Sequence, residues 1–119
     1  MRLRAVAALL AATAVGLGAF GAHALRDRFL AEPRAGAWWE TATLYLLVHA
    51  LAGACLPSAI RRPRFLLLAG AAVFSGTLYA MALGAPRWLG AVTPLGGTLL
   101  VVGWIATAVA FAKEEGKKG

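Results

Sequence analysis

The sequence has few charged residues and almost no cysteine. Only 14% of its 119 residues are charged and five are acidic, whereas about a quarter are charged in an ordinary soluble domain. Cys55 is the only thiol, which excludes an internal disulfide, and no second ligand lies near it at zinc-site spacing. No Asp or Glu falls inside an apolar run, and no nucleophile has an adjacent base and acid. The residues therefore favour a protein that is not an enzyme, with no metal and no cofactor.

Apolar residues dominate instead. They make up 61% of the chain, and the mean hydropathy is +0.73. Four apolar runs, at residues 5–25, 41–60, 65–83 and 94–112, are each close to the ~20 residues that a helix needs to cross a bilayer. Short polar connections separate the later runs, and such connections favour antiparallel neighbours. The predicted fold is one domain, residues 1–119: an all-α integral membrane bundle of four antiparallel transmembrane helices.

Charged residues in the connections predict the orientation. The head, the second loop and the tail carry eight Lys and Arg, while the first and third loops carry four. The positive-inside rule then places both termini in the cytoplasm, in a multi-pass protein of the bacterial inner membrane. The net charge of +7 forms no basic stripe, so nucleic acid is not an expected partner. In the first loop, residues 26–39, the pair Trp38 and Trp39 is typical of an aromatic belt at the lipid headgroups.

A cleaved signal peptide is the alternative for the first run. Arg2 and Arg4 precede it, and Ala22-His23-Ala24 resembles a small-residue cleavage site. The apolar core of a signal peptide has only ~7–15 residues, however, so this longer run is expected to stay in the mature protein as a transmembrane helix.

Glycines are frequent in the predicted helices. Gly16, Gly18 and Gly21 match the dinucleotide-binding fingerprint, but that motif works only where a strand turns into a helix. Inside a spanning helix the backbone amides are already bonded, so nucleotide binding is not expected. Small residues let membrane helices approach closely. The predicted packing glycines are Gly16, Gly18, Gly21, Gly76, Gly96, Gly97 and Gly103.

Two ionisable side chains, His23 and His49, fall inside predicted spans. Burial of such a group in lipid is costly, so each is a candidate functional residue. Thr41, Tyr45 and His49 recur every four residues and share a helix face, and Ser75 and Tyr79 form a similar pair. We expect these faces to converge on one polar pocket between the first three helices. The pocket candidates are His23, His49, Tyr45, Thr41, Ser75 and Tyr79, with Thr13 or Ser75 as hydrogen-bonding partners of His49.

Several roles remain open for this pocket. The histidines could be neutral and join helices by hydrogen bonds, each worth about 0.6 kcal/mol. A haem held by both would need them at one depth, but their positions along the helices differ by about 10 Å. Proton-coupled transport usually relies on intramembrane carboxylates or broken helices, which this sequence lacks. The favoured function is binding or assembly: holding a lipid, a quinone or other hydrophobic small molecule, a membrane-protein partner, or a second copy of the chain.

Several motifs resemble one family across all four predicted helices. The chain is similar to the YgdD-like inner-membrane proteins, domain of unknown function 423, and more distantly to the transmembrane protein 256 group. The resemblance implies a small four-helix membrane protein and brings no catalytic residues. Thr77, where Ser is expected, keeps a hydroxyl, and Leu46, where Gln is frequent, removes a polar neighbour of Tyr45. The motifs are Gly18-Ala19-Phe20-Gly21-Ala22-His23, Thr41-x-x-x-Tyr45-x-x-x-His49, Phe74-Ser75-Gly76-Thr77-Leu78-Tyr79, Thr93-Pro94-Leu95-Gly96-Gly97 and Gly103-Trp104.

Overall fold

The computed structural model describes residues 2–118, and every regular element among them is helical. A 3-10 helix, Arg87–Ala91, precedes the last of five α-helices, and no strand occurs between residues 2 and 118. The all-α prediction is confirmed. The α-helices are α1 (Leu3–His23), α2 (Arg26–Ala31), α3 (Pro33–Cys55), α4 (Arg61–Ala82) and α5 (Thr93–Lys118).

The four long helices pack in chain order, each antiparallel to the next. Helix α1 packs on α3, α3 on α4, and α4 on α5. Arg4 at the start of α1 reaches the carbonyl of Ala54 at the end of α3, whereas Thr77 late in α4 bonds Thr93 at the start of α5. Small side chains line the contacts, since Ala14, Ala42 and Ala71 are fully buried. The helices therefore approach closely, as membrane helices without large interdigitating side chains do.

Between residues 2 and 118, three helical segments are long and apolar enough to cross a membrane. They are Leu3–His23, Arg61–Ala82 and the continuous segment Arg87–Lys118. Helix α3 has 23 residues and is equally long, but Glu40, Tyr45 and His49 lower its hydropathy. Length and composition alone thus identify three crossings rather than the four expected.

Helix α3 begins at Pro33, eight residues before the predicted start. Residues 26–39 were expected to form a loop, with a short surface helix as an option for part of it; they form the short helix α2 and the first turns of α3. Proline is well tolerated at a first helical position because its missing N–H would have no partner there. Trp39, predicted to lie at the headgroups, is only 4% exposed, so its assignment to an aromatic belt is wrong. Its ring packs against Phe29 and Tyr79.

The connection between α3 and α4 also differs from the prediction. Helix α3 ends at Cys55 rather than near residue 60, and Pro57 lies in the following turn. The expected basic turn, residues 61–64, is the first turn of α4. Arg64 is 3% exposed and donates to the carbonyls of Gly53, Leu56 and Pro57. Gly53 lies in the last turn of α3, and Leu56 and Pro57 directly follow the helix. Their carbonyls hold the guanidinium inside the bundle and bring the start of α4 with it.

The bounds of the remaining helices differ less from the predicted bounds, except at the C-terminus. Helix α1 runs from residue 3 to 23 and α4 ends at residue 82, each close to the prediction. Helix α5 continues to Lys118 instead of stopping near residue 112. Lys and Glu are good helix formers, and lysines in a last turn complement the helix dipole. The polar tail therefore extends α5.

The predicted packing glycines divide into two groups. A Cβ on Gly96 would lie 2.5 Å from the backbone nitrogen of Phe74, and one on Gly103 would lie 2.9 Å from Leu67. Gly18 and Gly21 similarly contact Thr43 and Trp39 on α3, and Gly97 faces the Phe74 ring more loosely. Gly16 and Gly76, in contrast, have no atom within 4 Å of such a Cβ. These two glycines therefore do not pack within the chain, because they lie on the outward sides of α1 and α4.

Candidate functional site

The polar residues predicted to share one pocket do not lie together. Tyr45 and His49 line a groove between α3 and α5. Ser75 and Tyr79 instead face α3 from α4. Thr41 is exposed, and His23 is exposed at the end of α1. The predicted convergence between the first three spans is therefore not found, because Tyr45 and His49 turn toward α5 and away from α1.

His49 is joined to α5 by a hydrogen bond to a tryptophan. The indole N–H of Trp104 lies 3.0 Å from His49 Nε2, and His49 Nδ1 lies 2.6 Å from the carbonyl oxygen of Tyr45. An indole N–H can only donate and a carbonyl can only accept. Both bonds therefore require a neutral imidazole with its proton on Nδ1.

The expected partners of His49 bond elsewhere. The hydroxyl of Thr13 donates to Leu9 within α1, and the hydroxyl of Ser75 donates to the carbonyl of Ala42. Those partner predictions are wrong because both hydroxyls find a nearer backbone acceptor. Trp104 was singled out only as part of a family motif. Its place in the middle of an apolar run was the available signal, since tryptophans in membrane helices concentrate at the interfaces.

Aromatic rings from α3, α4 and α5 line the groove together with aliphatic residues of α5, and its volume is about 650 Å³. The rings of Tyr45 and Phe74 are 4.4 Å apart between centroids. His49 stacks on Tyr45 at 5.9 Å, with only 20° between the ring planes. These contacts hold the Tyr45 ring in one orientation. The full lining is Tyr45, His49, Phe74, Pro94, Gly97, Thr98, Leu100, Val101, Val102 and Trp104.

Among the polar groups of residues 2–118 that line the groove, the Tyr45 hydroxyl is the one without a hydrogen bond, since His49, Thr98 and Trp104 are all bonded. The Tyr45 side chain is 38% exposed, and its hydroxyl makes no hydrogen bond to any residue between 2 and 118. The hydroxyl of Tyr79, by comparison, lies 2.7 Å from that of Thr43. Tyr45 is the thirteenth of the 23 residues of α3, so this hydroxyl belongs to the middle of the helix.

Two further hydrogen bonds join α3 to its neighbours α1 and α4. Ser75 Oγ lies 2.8 Å from the carbonyl oxygen of Ala42, and the Trp39 indole N–H donates to the carbonyl of Leu17 across 2.8 Å. Leu46, where the family resemblance expects glutamine, is 5% exposed and belongs to the apolar core. These residues position α3 between α1 and α4 but leave no polar atom free.

Comparison with known proteins identifies the family. The profile described as "Protein of unknown function (DUF423)" matches residues 17–97. A UPF0382 membrane protein of Staphylococcus epidermidis is 40% identical over 92% of this chain and 93% of its own length. No solved structure matches.

Relatives occur in distant organisms. The UPF0382 membrane protein YwdK of Bacillus subtilis is 36% identical over 93% of this chain and 94% of its own length. The UPF0382 membrane protein C1782.12c of Schizosaccharomyces pombe is 38% identical over 87% of this chain and 96% of its own length. The resemblance inferred from the motifs is thereby confirmed, and the chain belongs to the DUF423 family of membrane proteins of unknown function.

Proposed function

We propose that this membrane protein binds a small hydrophobic molecule in the groove between α3 and α5, and that all four long helices cross the bilayer. The crossing by α3 is supported by its neighbours. Helices α1 and α4 are long and apolar enough to span, and α3 is packed between them over a similar length. Its polar residues Tyr45 and His49 face α5 across the groove. With four crossings, the distribution of Lys and Arg supports the proposal that both termini lie in the cytoplasm of a bacterial inner membrane.

The free hydroxyl of Tyr45 is the observation that carries the binding proposal. In the four-span arrangement it lies at the depth of the hydrocarbon, where no water is available. A hydroxyl left without a partner in an apolar medium costs roughly 2–7 kcal/mol, or about 1–3 kcal/mol by protein mutational data. A ligand that offers a carbonyl or hydroxyl oxygen would remove that cost. The ligand class is therefore an apolar molecule with one such oxygen, as in a quinone or a fatty-acyl lipid.

The side chains that line the groove are held in place before such a molecule binds. Phe74 and His49 fix the Tyr45 ring on two sides, and the Trp104 bond fixes His49 in turn. Ordering the side chains before binding reduces the entropy lost when the ligand arrives. The apolar walls from Pro94 to Val102 then contact the rest of the ligand.

The proposed role is non-enzymatic and does not use the histidines as a proton relay. Both ring nitrogens of His49 are occupied, one by Tyr45 and the other by Trp104. His23 lies exposed at the end of α1 and does not line the groove. Proton-coupled transport or haem ligation through the two histidines would require the Trp104 bond to break and the histidines to approach each other. The geometry supports a ligand held by Tyr45 instead.

Two Tyr→Phe variants test the proposal. The full-length protein is purified from native membranes in a mild detergent, and the molecules extracted from it are quantified by mass spectrometry. Tyr45→Phe removes the free hydroxyl and keeps the ring, so folding should be unchanged and the bound molecule should fall at least about tenfold, a loss of ~1.4 kcal/mol. Tyr79→Phe is the matched control. It breaks the bond to Thr43 outside the groove and should lower stability while the bound molecule remains.

Either of two results would refute ligand binding through Tyr45. One is a preparation of the unaltered protein without any stoichiometric small molecule. The other is equal retention of the molecule by the Tyr45→Phe and Tyr79→Phe proteins.

A further inference from the structure

Four arginines surround a pocket at the end of the bundle where α1 and α4 begin. The pocket has a volume of about 600 Å³. Among residues 2–118 its lining contains no carboxylate, so no acidic side chain of this part of the chain balances the positive charge there. The lining residues are Arg2, Leu3, Arg4, Ala5, Ala8, Ala54, Ser58, Arg61 and Arg64.

Two of these arginines are fixed and two are free. Arg64 is buried and binds three carbonyls at the end of α3, and Arg4 Nε lies 3.0 Å from the carbonyl oxygen of Ala54. The terminal nitrogens of Arg4 make no hydrogen bond to residues 2–118, nor do the exposed guanidinium groups of Arg2 and Arg61. Several donors therefore remain available around a rigid base.

The helix ends at this pocket add to its positive potential. Helices α1 and α4 both begin here, and neither has a side-chain cap or an acidic residue in its first turn. The first backbone N–H groups of a helix have no internal partner, and the dipole gives this end a partial positive charge. Leu3, Arg4 and Ala5, whose amides belong to the start of α1, line the pocket. Backbone and side chains thus favour an anion together.

An apolar cleft continues from the basic pocket. It has a volume of about 700 Å³ and is lined by Leu3, Arg61, Arg62, Phe65 and Leu66. Leu3 and Arg61 border both spaces, so the two adjoin. Phe65 is 57% exposed and lies one turn into α4, a helix apolar enough to span a membrane. A molecule that fills both spaces needs a negative head and an apolar chain.

We propose that this end of the bundle binds an anionic phospholipid. The phosphodiester would contact Arg2, Arg4 and Arg61, and an acyl chain would lie along Phe65 and Leu66. Basic pockets between membrane helices are suited to such headgroups. A zwitterionic lipid would bring a cation to a pocket without a carboxylate, and a soluble phosphate would leave the cleft empty. The proposal is independent of the groove between α3 and α5, which shares no lining residue with either space.

The test measures lipid binding to the full-length protein in detergent by native mass spectrometry. Phosphatidylglycerol is titrated in parallel with phosphatidylcholine of the same acyl chains. The double variant Arg2→Gln/Arg61→Gln removes two exposed arginines that make no internal hydrogen bond, so folding should be preserved. Arg26→Gln/Arg34→Gln is the control because it removes the same charge from exposed positions at the other end of the bundle.

Phosphatidylglycerol should bind the unaltered protein at least about tenfold more tightly than phosphatidylcholine. The Arg2→Gln/Arg61→Gln protein should lose about thirtyfold in phosphatidylglycerol affinity, and the control should lose less than about twofold. Melting temperatures of both variants confirm that they are folded. Glycerol phosphate added at millimolar concentration should not displace the lipid.

Three outcomes would overturn the proposal. Equal binding of the two lipids would show that the arginines do not distinguish an anionic headgroup from a zwitterionic one. Equal losses in both variants would show a general effect of net charge. Displacement by glycerol phosphate would assign the pocket to a soluble phosphate instead of a lipid.

Discussion

Trp104 of α5 donates its indole N–H to His49 of α3 across 3.0 Å, although α4 packs between these two helices. The bond therefore connects α3 and α5 at the groove, across α4. It also determines which ring nitrogen of His49 carries the proton. We predict that the imidazole is neutral with its proton on Nδ1. Nitrogen NMR of ¹⁵N-histidine protein should show a protonated Nδ1 and an unprotonated Nε2 for His49 in the folded protein at pH 7, and the opposite tautomer would contradict the assigned bond.

Trp104→Phe tests the same bond by its contribution to stability. Phenylalanine keeps an aromatic ring but cannot donate to His49 Nε2, so the free energy of unfolding should fall by about 0.6–1.7 kcal/mol, as for other interhelical hydrogen bonds in membranes. Trp88→Phe, at an exposed position in the 3-10 helix, is the control and should change stability little. Equal stability of all three proteins would contradict the assigned bond.

Gly21 and Gly16 provide a second comparison on one helix. A Cβ on Gly21 would lie 2.5 Å from Trp39 Cδ1, and the Trp39 ring cannot move freely because its N–H bonds Leu17. Gly21→Leu should therefore destabilise the protein by about 1–3 kcal/mol, as overpacking does. Gly16→Leu, with open space around it, should be tolerated. Thermal unfolding in detergent measures both, and similar melting temperatures would contradict the packing of α1 on α3.

Arg64 is predicted to stabilise the junction of α3 and α4. Arg64→Gln removes the charged donor from the carbonyls of Gly53, Leu56 and Pro57. Hydrogen bonds to charged groups contribute about 1.5–3 kcal/mol, so a loss of ~3 kcal/mol is expected. Arg62→Gln, at an exposed position in the same turn, should cost less than about 0.5 kcal/mol. A denaturant titration of both variants in lipid-free detergent would refute this role if their midpoints coincide.

The sides of the membrane on which the two termini lie distinguish three crossings from four. With α3 in the membrane there are four crossings and both termini lie on one side, whereas three crossings place them on opposite sides. We expect reporters fused before Met1 and after Gly119 both to indicate the cytoplasm. A split result would exclude a crossing by α3 and, with it, the depth assigned to Tyr45.

The sequence alone determined the class of structure and the approximate helices. Apolar runs of spanning length are local features, and α1 and α4 accordingly end within two residues of the predicted positions. The starts of α3 and α4 were harder to predict from the sequence, because Pro33 and the arginines around Pro63 are compatible with either a loop or a first helical turn. The burial of Trp39 and Arg64 favours the helical conformation at these two starts, and burial depends on the neighbouring helices.

The tertiary structure decided which polar residues meet. Spacing of four residues correctly placed Tyr45 and His49 on one face, but spacing within a helix does not state which neighbour that face meets. The rotation of α3 between α1 and α4 turns Tyr45 and His49 toward α5 and gives Ser75 the carbonyl of Ala42. Trp104 thereby became the partner of His49, and the hydroxyl of Tyr45 was left free. Helix rotation follows from packing along the whole interface, which no single segment of sequence specifies.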